Sequence, residues 1–239
     1  MRIVVLISCM LLAGCTVPFN LFGRKPPPPP APSTWESDTT AGAKAYDEGH
    51  LDEAERRLEV ARERAAVSKD SDLELAASLV NLAVVRRAQG NLPDAIDLQQ
   101  QALAIREKTL GADHPEVAAS LNSLAALHAA RDDYTSAEPL LVRALAIRER
   151  AFGADDRRTA KSANNLALLY AAQGRYADAE PLYQRATTIF EQHHDSAELA
   201  TALENYAALL EETGRGEQAA EMEAKAQGLR QTKGVTGDQ

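Results

Sequence analysis

Aromatic side chains are scarce in this chain, at 5% of 239 residues with a single tryptophan. That argues against a β-sandwich, which draws on aromatic and β-branched residues, and for close-packed, alanine-rich helices. Cysteine is nearly absent: Cys9 and Cys15 are the only two. No disulfide can therefore staple residues 16–239 together, and no cysteine-based metal site can form there. A basic excess is lacking too, with 26 Lys and Arg against 35 Asp and Glu and a formal net charge of −9. Phosphate neutralisation needs the opposite balance, so nucleic acid is not an expected partner. The remaining charge is interspersed in sign, as on a solvated helical surface. The chain carries no HExxH, no phosphate-binding loop and no GxSxG, so we expect no enzyme, no metal, no cofactor and no small-molecule substrate. The adjacent His193 and His194, next to Asp195, have no further ligand pattern to support a metal.

One apolar run is present, Ile3 to Leu12, and it is too short to span a bilayer. Arg2 precedes it and Leu12-Ala13-Gly14-Cys15 follows. A positive charge, a short apolar run and small residues before a cut site make a secretory signal. The Leu-Ala-Gly-Cys ending resembles the bacterial lipobox. That resemblance implies cleavage after Gly14, lipidation of Cys15 and a membrane-anchored mature protein. Removing residues 1–14, whose one charged side chain is Arg2, takes the formal charge from −9 to −10. More than one acyl chain gives stable attachment. Thr16 stands where inner-membrane lipoproteins often carry Asp, so the expected location is the outer membrane, facing the periplasm.

Residues 15–34 read as the lipidated cysteine and a linker. Lys25 is followed by five consecutive prolines, then Ala31 and Pro32. Such a run forms polyproline II at about 3.1 Å per residue, a stiff spacer between anchor and domain.

The rest of the chain repeats. A turn begins at Gly49, Gly90, Asp132, Gly174 and Gly214, at intervals of 41, 42, 42 and 40 residues. Seven residues before each stands a small residue: Gly42, Ala83, Ala125, Ala167 and Ala207. Twelve residues after each stands an alanine: Ala61, Ala102, Ala144, Ala186 and Ala226. Small residues at these places let two antiparallel helices approach closely. Glycine at the turn ends the first helix in a left-handed conformation. We expect five helix pairs, at 35–66, 75–109, 117–151, 159–192 and 199–230, and a disordered tail at 231–239. Stacked, they make an all-α, right-handed α-solenoid.

Ala167, Gly174, Tyr176, Ala179, Tyr183 and Ala186 match the small, glycine, aromatic and alanine positions of the tetratricopeptide repeat, which the chain resembles over about 35–230. The period exceeds that family's 34 residues. The surplus falls between pairs, as at Gly111-Ala112-Asp113-His114-Pro115, which resembles the long, kinesin-light-chain type of repeat. Asp132 and Gly216 depart from the glycine and aromatic pattern, and Glu223 stands where an apolar residue is expected.

The resemblance implies that the first helix of each pair lines a concave groove. Its groove positions hold Val80 and Asn81, Asn122 and Ser123, Asn164 and Asn165, then Glu204 and Asn205. Five of the chain's seven asparagines fall there. An amide donates and accepts, so a row of them can pair with an extended peptide backbone. Alternatively, the same amides bond neighbouring helices and hold the repeat in shape. Lys161 lies one turn before Asn165, and Arg87 follows Val84 on the first groove helix. Lys161 with Asn165 resembles half of the carboxylate clamp of chaperone-binding members. The expected function is a lipid-anchored scaffold or adaptor binding protein or peptide segments through Asn81, Arg87, Asn122, Lys161, Asn164, Asn165 and Asn205. The alternative is a pilotin-like or secretion-associated assembly factor acting through its outer surface.

Overall fold

The computed structural model describes residues 34–68 and 71–235. The segment expected to be a signal peptide, Cys15 and the proline run lie outside the described residues. Ten α-helices occupy the described chain: α1 (Trp35–Asp47), α2 (Leu51–Val67), α3 (Asp72–Ala88), α4 (Leu92–Leu110), α5 (Pro115–Ala129), α6 (Tyr134–Phe152), α7 (Arg157–Ala172), α8 (Tyr176–Gln192), α9 (Ser196–Glu212) and α10 (Gly216–Val235). These are the five expected pairs. α10 continues five residues past the expected end at 230. Among the described residues no helix is long and apolar enough to cross a membrane.

Each helix packs on the next in chain order, as in an α-solenoid. α1 also touches α3, α5 touches α7, and α7 touches α9. Helices two apart meet on this side, so the odd-numbered helices form the inner, concave layer.

The repeat register sets the core. Ala61, Ala102, Ala144, Ala186 and Ala226 are all fully buried, as are Ala54, Ala95, Ala137, Ala179 and Ala219. Gly42 shows why the opposing position must be small. A Cβ built there would lie 2.6 Å from Leu58 Cγ and 2.8 Å from Leu58 Cδ2. The helices of the first pair are too close for a methyl group.

The turns within pairs share one solution. In the fourth pair Arg175 N–H donates to the Tyr170 carbonyl at 2.9 Å and Gly174 N–H to that of Ala171 at 2.9 Å, with Gly174 at φ 73°. In the third pair Asp132 takes that place at φ 58°. Asp133 N–H donates to the His128 carbonyl at 3.0 Å, so the turn is the same. An aspartate tolerates this conformation better than most side chains. Tyr134 Oη donates to Asp132 Oδ1 at 2.9 Å and holds it there.

The extra residues that lengthen the period form caps between pairs. His114 Nδ1 accepts from Glu116 N–H at 3.2 Å, with Pro115 opening α5. Asp156 Oδ1 accepts from Arg158 N–H at 2.8 Å at the head of α7. His193 Nε2 faces the Asp155 carbonyl at 2.8 Å and His194 makes the next turn at φ 55°. Both histidines therefore serve connector geometry.

Candidate functional site

Three adjoining recesses lie along the inner layer. The first, about 200 Å³, sits between α3 and α5 and is lined by Val80, Val84, Arg87, Ser123 and Ala126 among others. The second, about 340 Å³, lies between α5 and α7 and is lined by Asn122, Ser123, Ala126, Arg148, Lys161 and Asn165. The third, about 320 Å³, is more apolar. Ala126, Ala129, Tyr134, Leu141, Leu168 and Ala172 contribute to it, with Asn122 and Asn165 at its edge. Ala126 borders all three, so they form one groove.

Small residues make the groove. Ala126 and Ala129 on α5 and Ala172 on α7 leave space that larger side chains would fill. Leu168 is 49% exposed in the same place. A leucine half in water beside a recess offers apolar area to a bound side chain.

Asn122 and Asn165 meet across the floor. Asn165 Nδ2 donates to Asn122 Oδ1 at 3.3 Å. Asn122 Nδ2 donates to the Ala118 carbonyl of its own helix at 2.9 Å and to Ser162 Oγ at 3.3 Å. Both donors of Asn122 are thus spent on the protein. Asn165 keeps one N–H and its Oδ1 free of any partner among the described residues. The two readings of the asparagines therefore divide between these residues: Asn122 binds α5 to α7, and Asn165 has hydrogen-bonding capacity left to face the groove.

The other sequence-predicted residues fall in different places. Arg87 lines the first recess and makes no ion pair among the described residues. Lys161 lines the second, with its Nζ 2.6 Å from Glu198 Oε1 on α9, so it is already engaged. Asn164 does not face the groove: it is 9% exposed and its buried Oδ1 has no hydrogen-bond partner. One residue step turns a helical side chain by about 100°, enough to move it from the open face into helix packing. Asn81 on α3 and Asn205 on α9 are half-buried and border none of the three recesses. Glu204, beside Asn205, is held by Arg230 through two bonds of 2.6 Å.

Arg148 is the site residue that sequence reasoning missed. It lies on α6, a second helix, and reaches into the second recess. Its repeat counterpart Arg106 donates to Ser120 Oγ at 2.6 Å. The counterpart of Ser120 is Ser162, which instead accepts from Asn122. Arg148 Nη1 donates to the Arg158 carbonyl at 3.0 Å and pairs with no carboxylate among the described residues. Burial, and then the nearby Arg158 charge, hold its pKa below that of a free guanidinium, against a weaker opposing pull from the Asp156 carboxylate. It remains charged at neutral pH. A half-buried, unpaired cation beside a free amide favours an incoming anion. The signal in the sequence was Ile105-Arg106-Glu107 recurring as Ile147-Arg148-Glu149, a charge inside an apolar stripe.

Against known proteins, the sequence matches the tetratricopeptide repeat family over residues 74–150, 117–192 and 158–232. No curated protein sequence matches the chain. Among solved structures it is similar to BtubC (BKLC) from P. vanneervenii, with TM-score 0.75 and 23% identity over 85% of this chain and 82% of that one. A putative kinesin light chain with nearly identical repeats, from Podosopora anserina, gives TM-score 0.70 and 24% identity over 84% and 96% of the two chains. A Rap protein complexed with competence and sporulation factor gives TM-score 0.68 and 19% identity over 82% of this chain and 54% of that one. At these identities the structural likeness speaks to the fold. With the family match spanning residues 74–232, the chain belongs to the tetratricopeptide repeat family.

Proposed function

We propose that the protein is a lipid-anchored scaffold of the bacterial envelope that holds an extended protein segment in the groove between α3, α5 and α7. The observation that carries this reading is the second recess, where the remaining N–H and Oδ1 of Asn165 and the guanidinium of Arg148, which forms no ion pair among the described residues, border the same space. The amide supplies a donor and an acceptor for a peptide backbone. Arg148 and Arg87 supply attraction for carboxylates, from acidic side chains or a chain terminus. Leu168 and its alanine neighbours accept one apolar side chain. A Rap protein of the same fold was solved with competence and sporulation factor bound, which is in keeping with a ligand-holding groove here.

The outer surface supports the alternative less well. Several of its cations are consumed between repeats: Arg143 with Glu107 and Arg185 with Glu149, both at 2.6 Å, Arg175 with Glu138 at 2.8 Å and Arg215 with Glu180 at 2.7 Å. These pairs tie successive pairs of helices together and leave few of those charges for a partner.

Anchoring through Cys15 completes the proposal, with the proline run as the spacer that lifts the groove off the membrane. Cys15→Ser is expected to move the protein from the membrane to the soluble fraction; unchanged fractionation would refute the anchor. Arg148→Glu combined with Asn165→Ala is expected to abolish partner capture with the fold intact by circular dichroism. Full capture by that variant would refute the groove.

A further inference from the structure

By repeat register the inner layer changes sign along its length, from the recesses to the end of α9. Arg87 and Arg148 border the first and second recesses without an ion-pair partner among the described residues, and no Asp or Glu borders the three recesses. This is notable in a chain where acids outnumber bases by 35 to 26. At the far end the repeat register places acids in the same positions. Arg87, Ala129 and Glu211 are equivalent, 42 and then 82 residues apart, and Ala172 and Glu212 are equivalent, 40 residues apart. Ala129 and Ala172 both border the third recess. Glu211 and Glu212 are exposed and make no ion pair among the described residues. Between the two ends, Lys161 is neutralised by Glu198, where the sign crosses over.

We propose that the groove is polarised and binds a protein segment whose charges are segregated: acidic residues over α3 and α5, one apolar residue over Leu168, and basic residues over the end of α9. This rests on the groove reading above and specifies its ligand. Three steps between neighbouring inner helices, at about 10 Å each, span on the order of 30 Å. An extended segment of about nine residues covers that distance. Complementary charge at both ends fixes which way the segment lies, because reversing it brings like charges together.

The test uses synthetic peptides of about ten residues with three Asp, one central Leu and three Lys, in two arrangements of one composition. One arrangement groups the charges at opposite ends, made in both chain directions; the other alternates them. Fluorescence anisotropy on the full chain is expected to show the segregated peptides binding about threefold to tenfold tighter, the range that two or three half-exposed ion pairs supply. A photo-crosslinker on the acidic end is expected to label α3 and α5. In the charge-swapped variant Arg87→Glu, Arg148→Glu, Glu211→Lys, Glu212→Lys, the label moves to α9. Equal affinity for both arrangements, or a label that does not move, overturns the polarity and leaves the groove standing. Binding by no peptide overturns the groove reading together with the polarity.

Discussion

Asn165 on α7 donates to Asn122 on α5 across 3.3 Å, and the two residues do different work with the same side chain. Asn122 is satisfied within the protein, by Ala118, Ser162 and Asn165. Removing it strands Asn165 and Ser162, so Asn122→Ala is expected to destabilise by about 1–3 kcal/mol. Asn165→Ala strands less and costs about 1 kcal/mol. A double-mutant cycle by urea unfolding should return a coupling of about 0.5–1.5 kcal/mol between them. Zero coupling would mean that the contact carries no energy.

Close approach in the first pair is tested at Gly42. A methyl group there meets Leu58 at 2.6 Å. Gly42→Ala is expected to lower stability by about 1–3 kcal/mol, despite alanine's better helix propensity. Leu58→Ala in the same chain should recover part of that loss. Thermal unfolding of the two variants decides the matter, and a Gly42→Ala protein more stable than the parent would contradict the packing.

Tyr183 is fully buried, and its hydroxyl has no hydrogen-bond partner. Its ring packs on Tyr206 with centroids 6.0 Å apart. The ring contributes packing while the hydroxyl bears an unmet desolvation cost. Tyr183→Phe should therefore be neutral or stabilising by up to about 1 kcal/mol, the reverse of an ordinary core truncation. A loss larger than that would point to a hidden partner for the hydroxyl.

Asp133 caps α6 and gives the fold an acid limit. Its carboxylate accepts from Ser136 N–H at 3.2 Å and from Thr135 Oγ1 at 3.0 Å, and lies 2.9 Å from His128 Nδ1. Hydrogen bonds from Ser136 first, then His128 and Thr135, hold its pKa well below the usual carboxylate range. A carboxylate whose folded-state pKa is depressed stabilises the fold above its unfolded value of about 4, and that contribution fades as pH falls toward the folded value. Asp133→Ala should lower the melting temperature at neutral pH. Its deficit against the parent should shrink below about pH 4. A deficit independent of pH would show that the cap owes nothing to its charge.

The repeat was legible in the sequence because its constraints are steric. Only small residues fit at Gly42 and Ala125, and the turn conformation at Gly174 favours glycine, so the register survives wide variation elsewhere. Even the Asp132 departure keeps the same hydrogen bonds. The groove was half legible. Asn122, Asn165, Lys161 and Arg87 border its recesses. Asn164 does not, because neighbouring helical residues face different directions and a pattern of pairs cannot say which member is buried. Arg148 was hidden for another reason. It comes from a second helix, and its availability depends on Ser162 being taken by Asn122, a competition that no single-repeat pattern contains.

The most direct test of the groove compares two positions in intact cells. A photo-crosslinking residue at Ala126 borders all three recesses, and one at Val142 stands 46% exposed on α6. The account predicts a specific protein adduct from position 126 that disappears when Arg148→Glu and Asn165→Ala are added, and none from position 142. The same partner captured from position 142, and not from 126, would contradict it and place recognition on the outer surface.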